Sequence, residues 1–371
     1  MDVFAWPYAV AAAGVLVGSM LGYTARVTHF CTLSALERHW YAGDDSGLRG
    51  WVLVAAVALA ATVLLQASGA VDVSASFYLT EPVRLAGAIV GGLMFGIGMA
   101  LVGTCGFGAL VRLGGGNMRA LVVLTGMALA AIAAERGVTA HFRVAALDPL
   151  SIDLTAFGAA MPGTPLAVTP GFGFGALLGG LIATIAVAWC LSSKAFRAAR
   201  ARVAAAIIIG CCIAAGWFVT GHAATTGFEG FDVEAGSFVA PLGDTMLQII
   251  LVTGQLPDYG VGLMVGVFFG AAIAAWTNDD MRWEACDDAR ELGRHLLGAF
   301  LMGTGGVFAL GCTIGQGVSA VSMLAVSAPV TIVAIVIGAR LGLSYLIEGS
   351  PFAFLAHHAD DATHPHRAPG Q

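Results

Sequence analysis

Three cysteines each lie where a long apolar stretch of the sequence gives way to a short motif. The motifs are RVTHFC ending at Cys31, VGTCGFG around Cys105, and LGCTIGQG around Cys312. Each predicts a span that breaks and a short helix that begins, and the glycines beside the last two cysteines permit the turn. A helix start presents unpaired N–H groups and the positive end of a dipole, which favours an anion. The thiol adds a weak, polarizable donor, which suits a sulfur-containing anion better than a hard oxyanion or a metal cation.

A packing role is the alternative for each cysteine, because free cysteine is often buried and behaves as a small hydrophobe. The matching places of Cys105 and Cys312 in two Gly-rich stretches favour function for this pair. Cys190, Cys211 and Cys212 fall inside plain apolar stretches, and we predict that they pack. The sequence holds no CxxC pair and no Cys/His cluster with zinc spacing, so we predict neither a metal nor a cofactor.

Polar and small residues around the cysteines complete the candidate site. His29 is either a proton relay or a satisfied buried imidazole, and we favour the buried imidazole. Gln316 either orients an anion or bonds the neighbouring backbone, and the sequence leaves both roles open. The candidate path residues are Cys31, Cys105, Cys312, His29, Thr104, Gly106, Gly108, Thr313, Gly315 and Gln316.

The elements that must position these motifs are predicted to be membrane-spanning helices. Hydrophobic residues make up 58% of the 371-residue chain and charged residues only 11%, against about 25% charged residues in soluble domains. Nine apolar stretches are long enough to cross about 30 Å of hydrocarbon. The apolar pieces Thr32–Trp40 and Leu242–Thr253 are shorter and predict re-entrant half-helices. The predicted spans are Trp6–Tyr23, Trp51–Ser68, Leu85–Thr104, Ala120–Ala134, Gly171–Ser193, Val203–Thr220, Tyr259–Trp276, Leu296–Gly311 and Pro329–Ile347.

Basic residues are distributed unevenly between the two sets of connections. With the N-terminus outside, the basic group at 194–202 lies in the cytoplasm. The outer connections then keep only Arg84, Arg136 and Arg143. The excess of positive charge inside therefore predicts a periplasmic N-terminus and a cytoplasmic C-terminus.

The sequence also resembles itself at an offset of 207 residues, which places Cys105 on Cys312 and Gly91 on Gly298. Spans one to four then fall on spans six to nine, and the fifth span lies between them. An odd crossing between two four-span halves inverts the second half, a common transporter plan with the substrate site where the halves meet. We predict a first repeat over 1–134, a connection with the linking span over 135–202, an inverted repeat over 203–350, and a cytoplasmic tail over 351–371.

The three cysteine motifs together resemble the YeeE/YedE family of bacterial membrane sulfur transporters. The segment 237–245, SFVAPLGDT, is similar to a family segment as well, and the resemblance extends from about Gly14 to Leu346. It implies thiosulfate uptake across the bacterial inner membrane, along a path lined by Cys31, Cys105 and Cys312. It also implies a small cytoplasmic sulfur-carrier protein as a partner, besides the sulfur anion and the lipid bilayer, and no nucleic acid.

Two other function classes remain as alternatives to a sulfur-anion transporter. A membrane enzyme that uses thiols for sulfur transfer would need a base near a nucleophilic cysteine, and only Cys31 has one nearby in sequence, His29. A channel or carrier for an unrelated ion is the other alternative. Few charged residues apart from Arg340 lie deep in the predicted spans, which disfavours a cation pathway.

Overall fold

The computed structural model describes residues 5–80, 82–151, 174–226, 232–251, 256–285 and 288–351, and these residues are mostly helical. Residues 352–371 of the predicted tail and residues 152–173 of the predicted connection lie outside the described residues. The α-helices are α1 (Ala5–Thr28), α2 (Thr32–Ala42), α3 (Ser46–Ala67), α4 (Phe77–Thr80), α5 (Leu85–Val102), α6 (Gly106–Gly114), α7 (Met118–Arg136), α8 (Val138–Phe142), α9 (Phe174–Ser192), α10 (Lys194–Ala198), α11 (Arg200–Thr226), α12 (Ala240–Ile250), α13 (Tyr259–Thr277), α14 (Ala289–Phe308) and α15 (Ser327–Glu348). A π-helix at Gly315–Ala320 lies between the last two.

The long helices confirm an all-α polytopic membrane protein. Among the described residues, eight helical segments are long and apolar enough to cross a bilayer. They correspond to eight of the nine predicted spans. The ninth, Leu296–Gly311, lies mainly within α14, whose first turns carry Arg290, Glu291 and Arg294. The apolar remainder of α14 packs between α5 and α7.

The short helices α2, α6 and α12 contain 11, 9 and 11 residues. At about 1.5 Å of rise per residue they reach about half the thickness of the hydrocarbon core. They fall where the sequence predicts half-helices. Helices α2 and α6 each begin after a break that ends a long helix, and α12 begins after the non-helical residues 232–239. Each can therefore bring a helix start to the interior of the bundle.

Close backbone contacts at glycines show the relative directions of the long helices. Gly14 of α1 lies against the Tyr259 end of α13, and Gly22 lies against Val267, so α1 and α13 run in the same direction. The regularly spaced glycines of α1 and α13 therefore form packing faces. Helices α5 and α14 run in opposite directions, since Gly91 contacts Gly305 and Gly98 contacts Gly298.

Helix contacts between the two parts of the chain occur in matched pairs. Helix α1 packs on α13 as α11 packs on α3, and α5 packs on α15 as α14 packs on α7. The contact of α2 with α3 likewise has a counterpart in α12 with α13. Two halves related by a two-fold axis produce such pairs, and the antiparallel α5 and α14 agree with inversion of the second half. The repeat boundaries at 1–134 and 203–350 stay a prediction.

Candidate functional site

All three candidate cysteines occupy the residue immediately before a short helix. Cys31 precedes α2, Cys105 precedes α6, and Cys312 precedes the helical residues 313–322. Thr32 and Thr313, which directly follow Cys31 and Cys312, line one cavity, and the Cys105 thiol is within electrostatic range of both cysteines, so helix starts that are distant in sequence meet at one place. We call these three residues the cysteine cluster. Cys105 and Cys312 are 1% exposed, whereas Cys31 is half-buried and is the most accessible member.

Two of the thiols cap the helices that follow them. The Cys105 sulfur accepts a hydrogen bond from the Gly108 N–H, with 3.5 Å between sulfur and nitrogen. The Cys312 sulfur accepts one from the Gly315 N–H at 3.4 Å. The first N–H groups of a helix lack partners within the helix, and a side-chain acceptor at this position satisfies one of them. The matching hydrogen bonds give Cys105 and Cys312 equivalent local settings.

Phe238 contacts both the first turn of α6 and Cys312. Its ring lies 4.8 Å from the ring of Phe107 in the first turn of α6, measured between centroids, and its backbone N–H interacts with the Cys312 sulfur. A Cβ atom at Gly106 would lie 3.2 Å from the Phe238 carbonyl oxygen, which is tighter than an ordinary contact. Gly106 therefore allows the segment before α12 to approach the start of α6.

Trp51 of α3 holds the third helix start against the same cluster. Its indole N–H donates to the Thr32 hydroxyl at 3.1 Å, in the first turn of α2. Gly317 has no side chain, and a Cβ atom there would collide with the same indole. Trp51 thus connects the helix that follows Cys31 with the helical segment that follows Cys312.

Buried hydroxyl groups lie around the thiols. Thr104 is 2% exposed and Thr313 is 3% exposed, and the Thr104 hydroxyl makes no hydrogen bond within the described part of the chain. A buried hydroxyl without a partner costs about 1–3 kcal/mol, so Thr104 is a donor that a ligand could use. The Tyr78 hydroxyl faces Gly315, where an added Cβ atom would lie only 2.9 Å from it.

Gln316 stabilises the turn that presents Cys312, rather than presenting its own amide to a ligand. The side chain is fully buried, and its Nε2 donates to the carbonyl oxygens of Ala309 at 2.9 Å and Leu310 at 3.2 Å. Its Oε1 accepts from the Ser327 hydroxyl at 3.3 Å. Leu310 has φ +56° and Gly311 has φ +152°, and such a left-handed leucine needs support from its surroundings. Of the two roles left open by the sequence, these bonds favour the backbone role.

Replacing Gln316 with leucine is expected to destabilise the protein by about 1–3 kcal/mol, because two carbonyl oxygens lose their buried donor. Thermal unfolding of the detergent-purified protein should show a lower midpoint. Uptake per folded molecule should fall less than in the cysteine variants discussed below. An unchanged midpoint with abolished uptake would instead assign Gln316 to direct contact with the transported anion.

His29 corrects one expectation from the sequence. Its side chain is exposed, so the predicted buried imidazole is wrong. The residue has φ +52° and ends α1, where the His29 N–H donates to Arg26 O at 3.3 Å and the Phe30 N–H donates to Ala25 O at 3.0 Å. A left-handed residue at this position is a common way to end a helix. His29 therefore shapes the turn before Cys31.

A cavity of about 510 Å³, which we call the large cavity, leads toward the cysteine cluster. Ser237, Leu310 and Gly311 form the part of its wall nearest to Cys312. Its other walls carry both signs of charge. The charged lining residues are Arg84, Glu135, Arg143, Asp232, Glu234, Asp244 and Asp258.

The carboxyl groups of this cavity are poorly solvated and close to one another. Desolvation raises the pKa of Glu234 well above its ordinary value, and the charges of Asp258 and Asp232 add to this effect. Desolvation also raises the pKa of Asp258, which the hydrogen bond from the Val261 N–H at 2.7 Å opposes. The charge on this wall therefore depends on pH over a higher range than for ordinary carboxylates.

Two arginines supply positive charge on the same cavity. Arg84 and Arg143 both contact Asp148, at 3.6 Å and 3.4 Å between charged atoms. One aspartate thus faces two guanidinium groups, and Glu135 also interacts with Arg143. The guanidinium groups offer N–H donors that suit the first contact with an anion.

A family model described as sulphur transport matches residues 27–341. The chain belongs to the YeeE/YedE sulphur transport family. A relative from Spirochaeta thermophila named thiosulfate transporter TsuA is 26% identical over 329 residues, which cover 85% of this chain and 92% of that protein. A relative of the same name from Escherichia coli is 23% identical over 337 residues, covering 84% of this chain and 88% of that protein. The family confirms a transporter rather than a membrane enzyme.

Several residues of this sulphur transport protein's site were not predicted. Glu234, Asp258, Tyr78 and Trp51 lie in or beside the two regions described above, but none belongs to a cysteine motif. A signal for the acidic wall was present, since five carboxylates occur between α11 and α13 and four of them line the large cavity. These four are Asp232, Glu234, Asp244 and Asp258.

Proposed function

We propose that this protein takes up thiosulfate, or a closely related small sulfur anion, through the cysteine cluster. The observation that carries the proposal is the meeting of Cys31, Cys105 and Cys312 at the starts of three short helices. Helix starts and thiols supply weak donors to an anion without placing a full positive charge beside it. Both named relatives are thiosulfate transporters by name, which supports this cargo.

The proposed path begins at the arginines of the large cavity and passes Ser237 and Gly311 to reach Cys312. From there the anion moves to Cys105 and Cys31 and to the free hydroxyl of Thr104. At each step, S–H, O–H and backbone N–H groups of the protein replace the water molecules that the anion has lost. Conduction requires that no single contact be strong enough to trap the anion. No covalent bond to sulfur forms or breaks in this scheme.

Uptake of ³⁵S-labelled thiosulfate into proteoliposomes tests the proposal directly. Uptake should saturate, and excess unlabelled thiosulfate should compete better than sulfate, because sulfate lacks the soft terminal sulfur. Empty liposomes are the control for leak. Equal competition by chloride and thiosulfate would instead support the alternative of a channel for other anions.

The orientation proposed for the chain is a periplasmic N-terminus and a cytoplasmic C-terminus in the bacterial inner membrane. The basic group at 194–202 motivates it. A reporter fused after Arg202 should be active only in the cytoplasm, and one fused after Met161, outside the described residues, only in the periplasm. The opposite activity at both fusion points would reverse the orientation.

The same proposal includes two inverted halves with the linking helix α9 between them. The matched helix pairs and the antiparallel α5 and α14 support it. It also includes a small cytoplasmic sulfur-carrier protein that accepts the anion at the inner face, which rests on the resemblance alone. Copurification of such a carrier with the detergent-solubilised protein is its test.

A further inference from the structure

A smaller cavity of about 210 Å³, which we call the small cavity, lies across the cysteine cluster from the large one. The large cavity is lined by Arg84 before α5 and by Glu135 near the end of α7. The small cavity is lined by Val102 at the end of α5, Arg119 near the start of α7, and His295 in the first half of α14. The two cavities therefore lie at opposite ends of the same helices.

The charges around the small cavity do not balance. Arg119 is paired with Glu291 at 2.7 Å, and Glu284 accepts a hydrogen bond from the Asn117 amide at 2.6 Å. Arg294 is exposed and makes no ion pair within the described part of the chain. Arg112 also lines the cavity. Three arginines thus face two glutamates, and the excess charge is positive.

Arg112 connects this cavity to the cysteine cluster. Its guanidinium donates to the Gly103 carbonyl oxygen at 3.1 Å, in the turn that leads to Thr104 and Cys105. It is otherwise exposed. The same side chain therefore contacts the turn that presents the thiol and offers its remaining N–H groups to the cavity.

Two buried polar atoms also belong to this wall. The Thr104 hydroxyl and Nδ1 of His295 have no hydrogen-bond partner among the described residues. Thr104 is 2% exposed and His295 is 6% exposed. Buried polar atoms are usually satisfied, so a ligand that bonds both atoms would complete this side of the cavity.

We propose that the small cavity is a second anion site, which receives the doubly charged sulfur anion from Cys105 and holds it before release. Arg112 and Arg294 bind the anion's oxygen atoms, while Thr104 and His295 contact it from the buried side. Guanidinium groups suit this task because their fixed fork of N–H donors matches oxyanions. This inference rests on the proposed function for the nature of the anion.

Equilibrium binding of ³⁵S-thiosulfate tests the site without requiring transport. The full-length protein, purified in detergent, carries alanine at Cys31, Cys105 and Cys312, so that binding to the thiols is removed. Residual binding should remain, and Arg112→Gln or Arg294→Gln should weaken it by about tenfold, as expected for loss of one charge-assisted contact. Arg290→Gln is the matched control, because it removes an exposed arginine from α14 that does not line the cavity.

Equal binding by the Arg294→Gln and Arg290→Gln proteins would overturn the inference, as would the absence of binding to a well-folded triple-alanine protein. If that protein does not fold, exchange in proteoliposomes with the native cysteines decides. Arg294→Gln should raise the half-saturating thiosulfate concentration on the small-cavity side by about tenfold and leave the other side unchanged. If Arg294→Gln changes the half-saturating thiosulfate concentration equally on both sides, the result would contradict the site. Arginine-dependent binding without any uptake would disprove the proposed function and leave this site standing.

Discussion

Replacing any one of Cys31, Cys105 and Cys312 with alanine is expected to reduce thiosulfate uptake by about tenfold or more, the effect of losing one favourable contact to a charged ligand. Alanine keeps most of the small apolar volume but removes the S–H donor. The packing loss should be about 1 kcal/mol, because only one heavy atom is deleted. Initial rates of ³⁵S-thiosulfate uptake, divided by the amount of folded protein in the membrane, measure the effect.

Serine at the same positions separates the role of the thiol from helix capping. The sulfur atoms of Cys105 and Cys312 accept N–H groups at helix starts, and serine is among the best residues for that position. The serine variants should therefore fold at least as well as the parent. A loss of uptake in these variants would point to the softness of sulfur, whereas full uptake would mean that any donor suffices.

Other cysteines of the chain provide controls with the same chemical change. Cys190 is fully buried and donates to the Arg49 carbonyl oxygen at 3.3 Å. Cys211 is exposed on α11, so the prediction that it packs is wrong. No described hydrogen bond joins either residue to the cysteine cluster, so alanine at either position should leave uptake nearly unchanged. If alanine at Cys31, Cys105 and Cys312 has equally little effect, the three motifs are structural and the site assignment is wrong.

The long helices could be predicted because a membrane imposes a minimum apolar length on each span. The boundaries were less predictable where charge enters a helix. The predicted span Ala120–Ala134 extends to Met118–Arg136 in α7. Its first turn carries Arg119, which Glu291 of α14 neutralises at 2.7 Å. The two residues of this ion pair are 172 positions apart in sequence, so local hydropathy cannot reveal it.

The helix starts after the three cysteines were predictable for a different reason, since each cysteine lies where a long apolar stretch ends and a shorter one begins. The roles of neighbouring side chains depended on distant partners. Gln316 bonds Ala309, Leu310 and Ser327, and nothing in its own motif distinguishes these bonds from contact with an anion. His29 was misjudged because its neighbours in sequence do not reveal that the residue ends α1 with a left-handed backbone and an exposed side chain.

The acidic wall of the large cavity leads to the last prediction, which concerns pH. Glu234 lies beside Asp258 and Asp232, and its pKa is raised by desolvation first and by these charges second. Below that raised pKa the carboxyl group is neutral, and above it the group carries a negative charge at the approach to Cys312. Thiosulfate stays a dianion throughout the neutral range, so the titration belongs to the protein. The KM for uptake should therefore rise as pH increases.

The expected rise is up to about tenfold per pH unit, the limit when ionisation of a single group excludes the ligand. Glu234→Gln fixes the neutral form, so its KM should stay low at alkaline pH and its pH dependence should flatten. Asp279→Asn is the matched control, because it also removes one carboxylate but from an exposed turn after α13. Initial uptake rates in proteoliposomes clamped at equal internal and external pH give KM without a proton gradient. An equal pH dependence in both variants would exclude Glu234 from control of anion entry, and Arg84, Arg143 and the other carboxylates of the large cavity would then set the charge that the anion meets.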